Sequence, residues 1–482
     1  MKKKILLILS LLLTFGILNV KEVRAAYPYS MACSLYEVDY INDDGTFSKV
    51  SCHDSLSAAK SKMQSLGGDH VVRYVEGYSP SRIVAMNSGY AYLIAKRQGS
   101  TAATGNIYLN SSLSGTATYV SDYTPLYYLD TSSVDSEGDG VIKVNANGFE
   151  GYIALYMVDL VPTKFFEKNL SIYLGTSYNG GSVYTLKPVQ NYFTAEKNGN
   201  YTDLVFHFSL GYSSSGKAIV YTRNIGVAPD FMSTGKKYYS YDGVTYYSDM
   251  RMKNKVGTYY NYYQWLPLRS KTNISATDLN AYLNYQGYDS SDSVMDGKGS
   301  SFIDSQNKYG VNALLIYAMA IHESAFGSSW YARNRYNLFG WGAYDSDPDN
   351  AGAFKSVASC VSEHMGINLR GYLDYSDWRY FGSSLGNKGA GFNVKYASDA
   401  YWSMKIASYA YGIDKYANDY DGNLSDYNQY TLGLVNTYNV PIKKSASDSS
   451  TTLYTSKYAN GSSYQKDLVL IILGESGDYY KI

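Results

Sequence analysis

Three cysteines in 482 residues are too few for a scaffold built on disulfides. Cys33 and Cys52 lie near enough in sequence to pair, whereas Cys360 sits alone in a helical pattern and reads as a small core residue. Nine prolines beside 45% hydrophobic content argue against disorder. Excess charge is absent too. Lys plus Arg number 42 and Asp plus Glu number 42, so nothing points to nucleic acid or an acidic membrane surface as a partner. Past the first residues no run is apolar enough to suggest a transmembrane span. Five histidines leave little material for a metal site.

Lys2, Lys3 and Lys4 precede the apolar run "ILLILSLLLTFGIL" and the small-residue stretch "VRAA". This order describes a cleavable secretory signal over 1–25, cut after Ala25 or Ala26; an uncleaved anchor would want a longer apolar run. The expectation is an exported chain with no membrane contact once the signal is removed. Tyrosine, at 56 residues, is the abundant type. Its flat apolar face and polar tip suit both wet carbohydrate surfaces and half-exposed strands.

The pattern along the chain predicts several domains. Residues 26–80 read as a small α/β unit, with strands in "SLYEVDYI" and "HVVRYV" flanking a helix capped by Asp54 or Ser55. Residues 81–162 alternate like short strands and carry a hairpin signature at Asn147-Gly148, and 163–235 form a second β-rich module. Both resemble, by pattern, the small Src-homology-like β-barrels that bacteria attach to wall enzymes. From 236 to 436 a hairpin around Asp242-Gly243 gives way to helices, with Ser275 or Thr277 able to cap the first. Residues 437–482 look like the start of another β-barrel module, apparently truncated.

From Val311 to Phe326 the chain is apolar nearly all round, which predicts a buried helix. Glu323 falls at its end, ahead of Gly327 as a helix stop. Partial burial and the negative end of the helix dipole both disfavour a charged carboxyl there, and so raise its pKa as a general acid requires. The alternative is an exposed carboxylate at a helix end. A zinc helix would need H-E-x-x-H, but the fourth residue after His322 is Phe326, so neither metal nor cofactor is expected. His322 reads as a core or hydrogen-bonding residue.

Downstream, Asn337, Phe339 and Trp341 form what looks like a rigid aromatic turn able to hold a sugar ring. Asp345, Asp347 and Asp349 then crowd a Gly- and Asn-rich loop. A carboxylate loop facing a buried acid is what glycoside hydrolysis uses, although turn formation alone accounts for such aspartates. A calcium loop would want a Glu where Ser356 stands.

"AIHESAFGSS", "NLFGWGAYDSDP" and "GNKGAGFNVKYASDAYWSMKIA", in this order and spacing, resemble glycoside hydrolase family 73, the bacterial peptidoglycan endo-β-N-acetylglucosaminidases. The resemblance covers about residues 270–420. It implies a lysozyme-like, mainly α fold of α+β type and hydrolysis of the β-1,4 bond on the reducing side of N-acetylglucosamine. It places Glu323 as the general acid and Tyr396 in the cleft, with Tyr401 and Trp402 framing the sugar. Asp399 reads as an N-cap or a ligand contact, and Ala400 stands where relatives usually have Pro. The second catalytic group varies in the family, and some members use the substrate's own acetamido group; Asp345 and Asp347 are the local candidates. The implied partners are peptidoglycan glycan strands at the active site and cell-wall polymers at the β modules. The alternatives are a lytic transglycosylase or muramidase on the same fold, and a non-catalytic wall-binding protein.

Overall fold

The computed structural model describes residues 33–75, 82–97, 102–175, 183–213, 216–342, 352–418, 423–437, 439–456 and 468–482. The expected signal at 1–25 and the candidate carboxylates Asp345 and Asp347 lie outside the described residues.

Strands β1 (Tyr36–Ile41), β2 (Phe47–His53), β3 (His70–Tyr74) and β4 (Arg82–Met86) make one antiparallel sheet in the order β2-β1-β3-β4. Helix α1 (Leu56–Leu66) lies between β2 and β3, and Ser55 rather than Asp54 caps it by accepting from the Ala58 N–H. Cys33 and Cys52 are disulfide-bonded, and Cys360 is free and buried.

Seven further strands follow: β5 (Gly89–Leu93), β6 (Thr104–Tyr108), β7 (Thr116–Ser121), β8 (Pro125–Val134), β9 (Gly140–Ala146), β10 (Phe149–Ala154) and β11 (Val158–Pro162). Their order is β11-β5-β8-β9-β10-β6-β7. Among the described residues no pairing joins β7 to β11, so the expected barrel is an open sheet. Alternation works as the sequence predicts: Ile142 and Val144 are fully buried, while Lys143 stays outside and pairs with Glu150 at 3.0 Å. Both sheets share one core that includes Val38, Val72, Ile107 and Ile153.

Helix α2 (Thr163–Glu167) leads to the hairpin of β12 (Ile172–Gly175) and β13 (Val183–Leu186), then to the sheet of β14 (Tyr192–Asn198), β15 (Tyr201–Tyr212) and β16 (Ala218–Val227). The rings of Phe193, Phe206 and Phe208 stack along its inner face at centroid spacings of 4.7 and 4.8 Å. A short hairpin, β17 (Thr245–Tyr247) with β18 (Lys255–Thr258), precedes the helical region.

The helices are α3 (Tyr262–Trp265), α4 (Ala276–Tyr285), α5 (Gly299–Tyr309), α6 (Ala313–Ser324), α7 (Trp330–Arg335), α8 (Val357–Glu363), α9 (Arg370–Leu373) and α10 (Trp402–Ala417). Ser275 caps α4 in a reciprocal box with Asp278. Helix α6 is buried along its length, and Leu314, Leu315, Ile316 and Met319 are wholly enclosed. Each such side chain contributes roughly 1.5–3 kcal/mol relative to exposure, so the helix is held by burial rather than by helix propensity.

Two polar anchors tie α10 down. Asp203 on β15 is buried and accepts from the Tyr411 hydroxyl at 2.5 Å, Lys415 Nζ at 3.0 Å and Asn224 Nδ2 at 2.8 Å. Asp414 accepts from the Tyr263 hydroxyl at 2.8 Å and from the backbone N–H of Asp426 at 3.0 Å. Beyond α10, β19 (Thr431–Val435) pairs with β22 (Leu468–Ile472), and β20 (Pro441–Lys443) pairs with β21 (Thr452–Thr455). Strand β22 thus returns to pair with β19, while the last two strands, Gly474–Ser476 and Tyr479–Lys481, pair with each other. Among the described residues no helix is long and apolar enough to cross a membrane.

Candidate active site

Glu323 is the penultimate residue of α6, and the turn after it is unusual. Ala325, Phe326 and Gly327 all take positive φ, at 50°, 61° and 75°. The helix thus ends at Ala325, two residues before the glycine expected to stop it. Two of the three carry a Cβ, a conformation of order 1–3 kcal/mol above the ordinary ones for each. Side chains fix it. The Ser324 hydroxyl donates to the Ala320 carbonyl at 2.5 Å and accepts from the Gly327 N–H at 2.8 Å. The Ser293 hydroxyl holds the Phe326 carbonyl at 2.5 Å, and Tyr288 stacks on the Phe326 ring at 4.6 Å.

The carboxyl of Glu323 is half-buried, and Oε1 accepts from the indole Nε1 of Trp402 at 2.6 Å. Burial pushes its pKa up to about 7; the Trp402 bond opposes that rise and the charge of Asp399 adds to it. Near neutral pH such a group exists in both forms, so it can give a proton and take it back.

Trp402 is the first residue of α10 and only 2% exposed. The expectation that it frames a sugar meets an enclosed ring whose polar edge is spent on Glu323. Tyr396 stacks on that ring at 4.8 Å and is partly exposed. Burial first, then the charge of Glu323, raises its phenol pKa, so its hydroxyl keeps its proton. Tyr401 turns the other way, its ring 5.2 Å from Phe206 and 6.2 Å from Phe208 on the β14–β16 sheet. Asp399 accepts from the Tyr401 N–H at 2.9 Å and pairs with Lys405. Burial would raise its pKa, but Lys405 outweighs it and keeps Asp399 below the usual carboxylate range. His322, between this pair and Tyr409, is pushed down to about 4 by burial and then by Lys405. It is neutral and leaves Glu323 as the proton carrier of the two.

The aromatic turn is closed by hydrogen bonds of Asn337, and two of its three candidate residues point inward. Asn337 is buried: its Nδ2 donates to the Trp341 carbonyl at 2.8 Å, and its Oδ1 accepts from the Trp341 N–H at 3.1 Å. Phe339 is buried with one face on the His364 ring, at 3.6 Å and 4°. Trp341, partly exposed, donates from Nε1 to His364 Nδ1 at 2.8 Å. Burial drives the His364 pKa down to about 3, which leaves Nδ1 free to accept. Asn337 and Phe339 therefore build the turn, and of the three only Trp341 keeps surface to offer a ligand. Among the described residues no group of three or more His, Cys, Asp or Glu is placed to hold a metal ion.

Residues 299–416 match the family model described as Glucosaminidase: Mannosyl-glycoprotein endo-beta-N-acetylglucosaminidase. The match to that glucosaminidase family lies within residues 299–416. It is 34% identical over 178 residues to a Streptococcus pneumoniae protein named "Putative endo-beta-N-acetylglucosaminidase", covering 37% of this chain and 25% of that one. It is 30% identical over 129 residues to the "Beta-N-acetylglucosaminidase" of Bacillus subtilis, covering 25% of this chain and 14% of the relative. The chain thus spans about a quarter or less of the length of these relatives. A solved structure of a catalytic mutant of S. aureus Autolysin E in complex with the disaccharide NAG-NAM is 21% identical, with a TM-score of 0.28. It covers 35% of this chain and 78% of that one.

Sequence reasoning missed three contributors around the glucosaminidase domain. Lys388 is wholly buried and donates to the carbonyls of Asn393 at 2.8 Å and Ala397 at 2.6 Å. Burial pulls its pKa down to about 7. Arg223, from β16, acts electrostatically on both His322 and Tyr409. Asn147 donates from Nδ2 to the Ala400 carbonyl. The glycines around Lys388 in "GNKGAG" were the one local signal, since they mark close backbone approach; nothing local marks Arg223 or Asn147.

Proposed function

We propose that this chain is an exported peptidoglycan hydrolase, an autolysin. It cleaves the β-1,4 bond between N-acetylglucosamine and N-acetylmuramic acid, with Glu323 as general acid. The observation that carries the reading is a half-buried glutamic acid at about pH 7, fixed by the Trp402 indole, inside a glucosaminidase-family segment. Glu323 protonates the leaving glycosidic oxygen as the bond breaks, and Tyr396 lines the cleft beside it. The group opposite is Asp345, Asp347 or the substrate's own acetamido oxygen, with water completing hydrolysis. In this reading the helical domain is lysozyme-like and the enzyme works in the cell wall, the β modules bearing on wall polymers. Trp341 is a further sugar contact.

The deciding experiment is borohydride reduction and mass spectrometry of purified peptidoglycan treated with wild type and with Glu323→Gln. A reduced N-acetylglucosamine end, lowered ~10²–10⁴-fold in the variant, is the expected outcome for a general acid. A reduced muramic acid end would make the enzyme a muramidase, and a 1,6-anhydro end a transglycosylase. No new end from either protein would leave a binding protein.

A further inference from the structure

Residues 393–401 carry Tyr396 and lead into Trp402, yet apart from the turn Phe392–Val394 no regular element lies there. A buried carbonyl needs a donor, and along this segment several of the donors come from another part of the chain. The Thr118 hydroxyl on β7 donates to the Val394 carbonyl at 2.8 Å. The next residue's phenol, Tyr119, donates to the Lys395 carbonyl at 3.1 Å, and the Ser121 N–H donates to the Ser398 carbonyl at 3.0 Å. One edge strand of the β5–β11 sheet thus runs along the segment and holds three of its carbonyls.

The turn between β9 and β10 closes the other end. Asn147 Nδ2 donates to the carbonyl of Ala400, two residues before Trp402, and the Asn147 carbonyl accepts from the Lys388 N–H at 3.0 Å. Gly148 sits so close to Asn387 that a Cβ there would come within 2.2 Å of its amide nitrogen, at a φ of +106° where a side chain is strained in any case. A side chain there would have to displace the Asn387 amide and would be strained by the φ. The Asn147-Gly148 pair is therefore more than a hairpin turn; it is fitted against the loop that precedes α10.

We infer that Asn147 and Thr118 are positioning residues for the reaction. The β5–β11 sheet acts as a mould for the 393–401 segment, and so sets where the Trp402 indole meets Glu323. The inference rests on Glu323 being the general acid only for its effect on turnover; the effect on Trp402 stands separately. It assigns this module a part in the chemistry in addition to any hold on the wall.

The test uses the full chain in three forms: wild type, Asn147→Gly and Thr118→Val. Glycine keeps the positive φ of Asn147, which is 44°, and removes only the amide. Valine keeps the shape of Thr118 and removes only the donor. The indole N–H signal of Trp402, assigned by its loss in Trp402→Phe, is followed by NMR against pH, alongside turnover on peptidoglycan. In wild type the signal should titrate with Glu323, near pH 7. A loosened indole no longer stabilises the carboxylate, so the midpoint moves to higher pH in both variants. Turnover falls about tenfold to a hundredfold, as expected for a misplacement of order 1 Å. An unmoved midpoint in both variants overturns the inference, even if their melting temperature falls. If Asn147→Gly fails to fold, Thr118→Val carries the same comparison. A wild type that titrates but hydrolyses nothing sinks the general-acid reading and leaves the mould to be decided by the midpoints.

Discussion

The two halves of the candidate site are held in opposite ways. Glu323 lies at the end of a helix whose apolar residues are enclosed by a core drawn from the helical region itself, from Tyr262 to Ile413, so its place follows from apolar burial. Tyr396 and Trp402 sit on or just beyond a segment without periodic structure, and a strand that precedes it by 276 residues holds its carbonyls. The first half is held by apolar packing within the helical region, the second by polar bonds from a sheet far earlier in the chain. The hydrogen bond between them, from the Trp402 indole to the carboxyl, is where the two meet.

Breaking the long-range side should have the largest effect on the whole chain. Asp203→Ala removes the carboxylate on which Tyr411 and Lys415 of α10 converge. Taking one partner from a buried ion pair costs ~3–5 kcal/mol, and urea unfolding should register a loss of that size. Cutting the link itself is a smaller change. Trp402→Phe deletes one charge-assisted donor, worth ~1.4 kcal/mol, or about tenfold in kcat. The indole bond lowers the Glu323 pKa, so its loss raises it. The protonated acid then persists to higher pH, and the alkaline limb of the kcat profile should move up from about 7. A limb that stays in place would mean the indole bond plays no part in tuning the acid. The smallest effect belongs to the local side. Trp341→Phe loses the donor to His364, for about 1 kcal/mol. Because His364 is held neutral far below its usual range, that loss should be the same at pH 5 and pH 8.

This contrast also explains what could be read from the residues alone. The run from Val311 to Phe326 announces a buried helix because every turn repeats the same apolar requirement, and Glu323 interrupts it. The hairpin at Asn147-Gly148 and the cap at Ser55 are likewise written in a few adjacent residues. Ring directions are not. Tyr401 and Trp402 are neighbours at the entry of α10, yet one ring meets Phe206 and the other Glu323. Which way each turns depends on a sheet two hundred residues earlier. Asn337 and Phe339 read as ligand contacts because an aromatic turn suits a sugar ring; the same residues equally suit a buried turn stacked on His364. The choice between those uses rests on the His364 imidazole, which no spacing reveals. Ala400 reads as a minor departure at a helix entry, whereas its carbonyl receives both Asn147 and Asn393.

The open edge of the β5–β11 sheet matters for the order in which the protein is made. Strand β7 and the Asn147 turn emerge from the ribosome long before residues 393–401, and domains tend to fold as units in the order they are made. The template is therefore complete before the strand of chain it shapes has been synthesised. Residues 262–418 expressed by themselves would keep their apolar helix contacts but lack the β7 surface that receives residues 393–401.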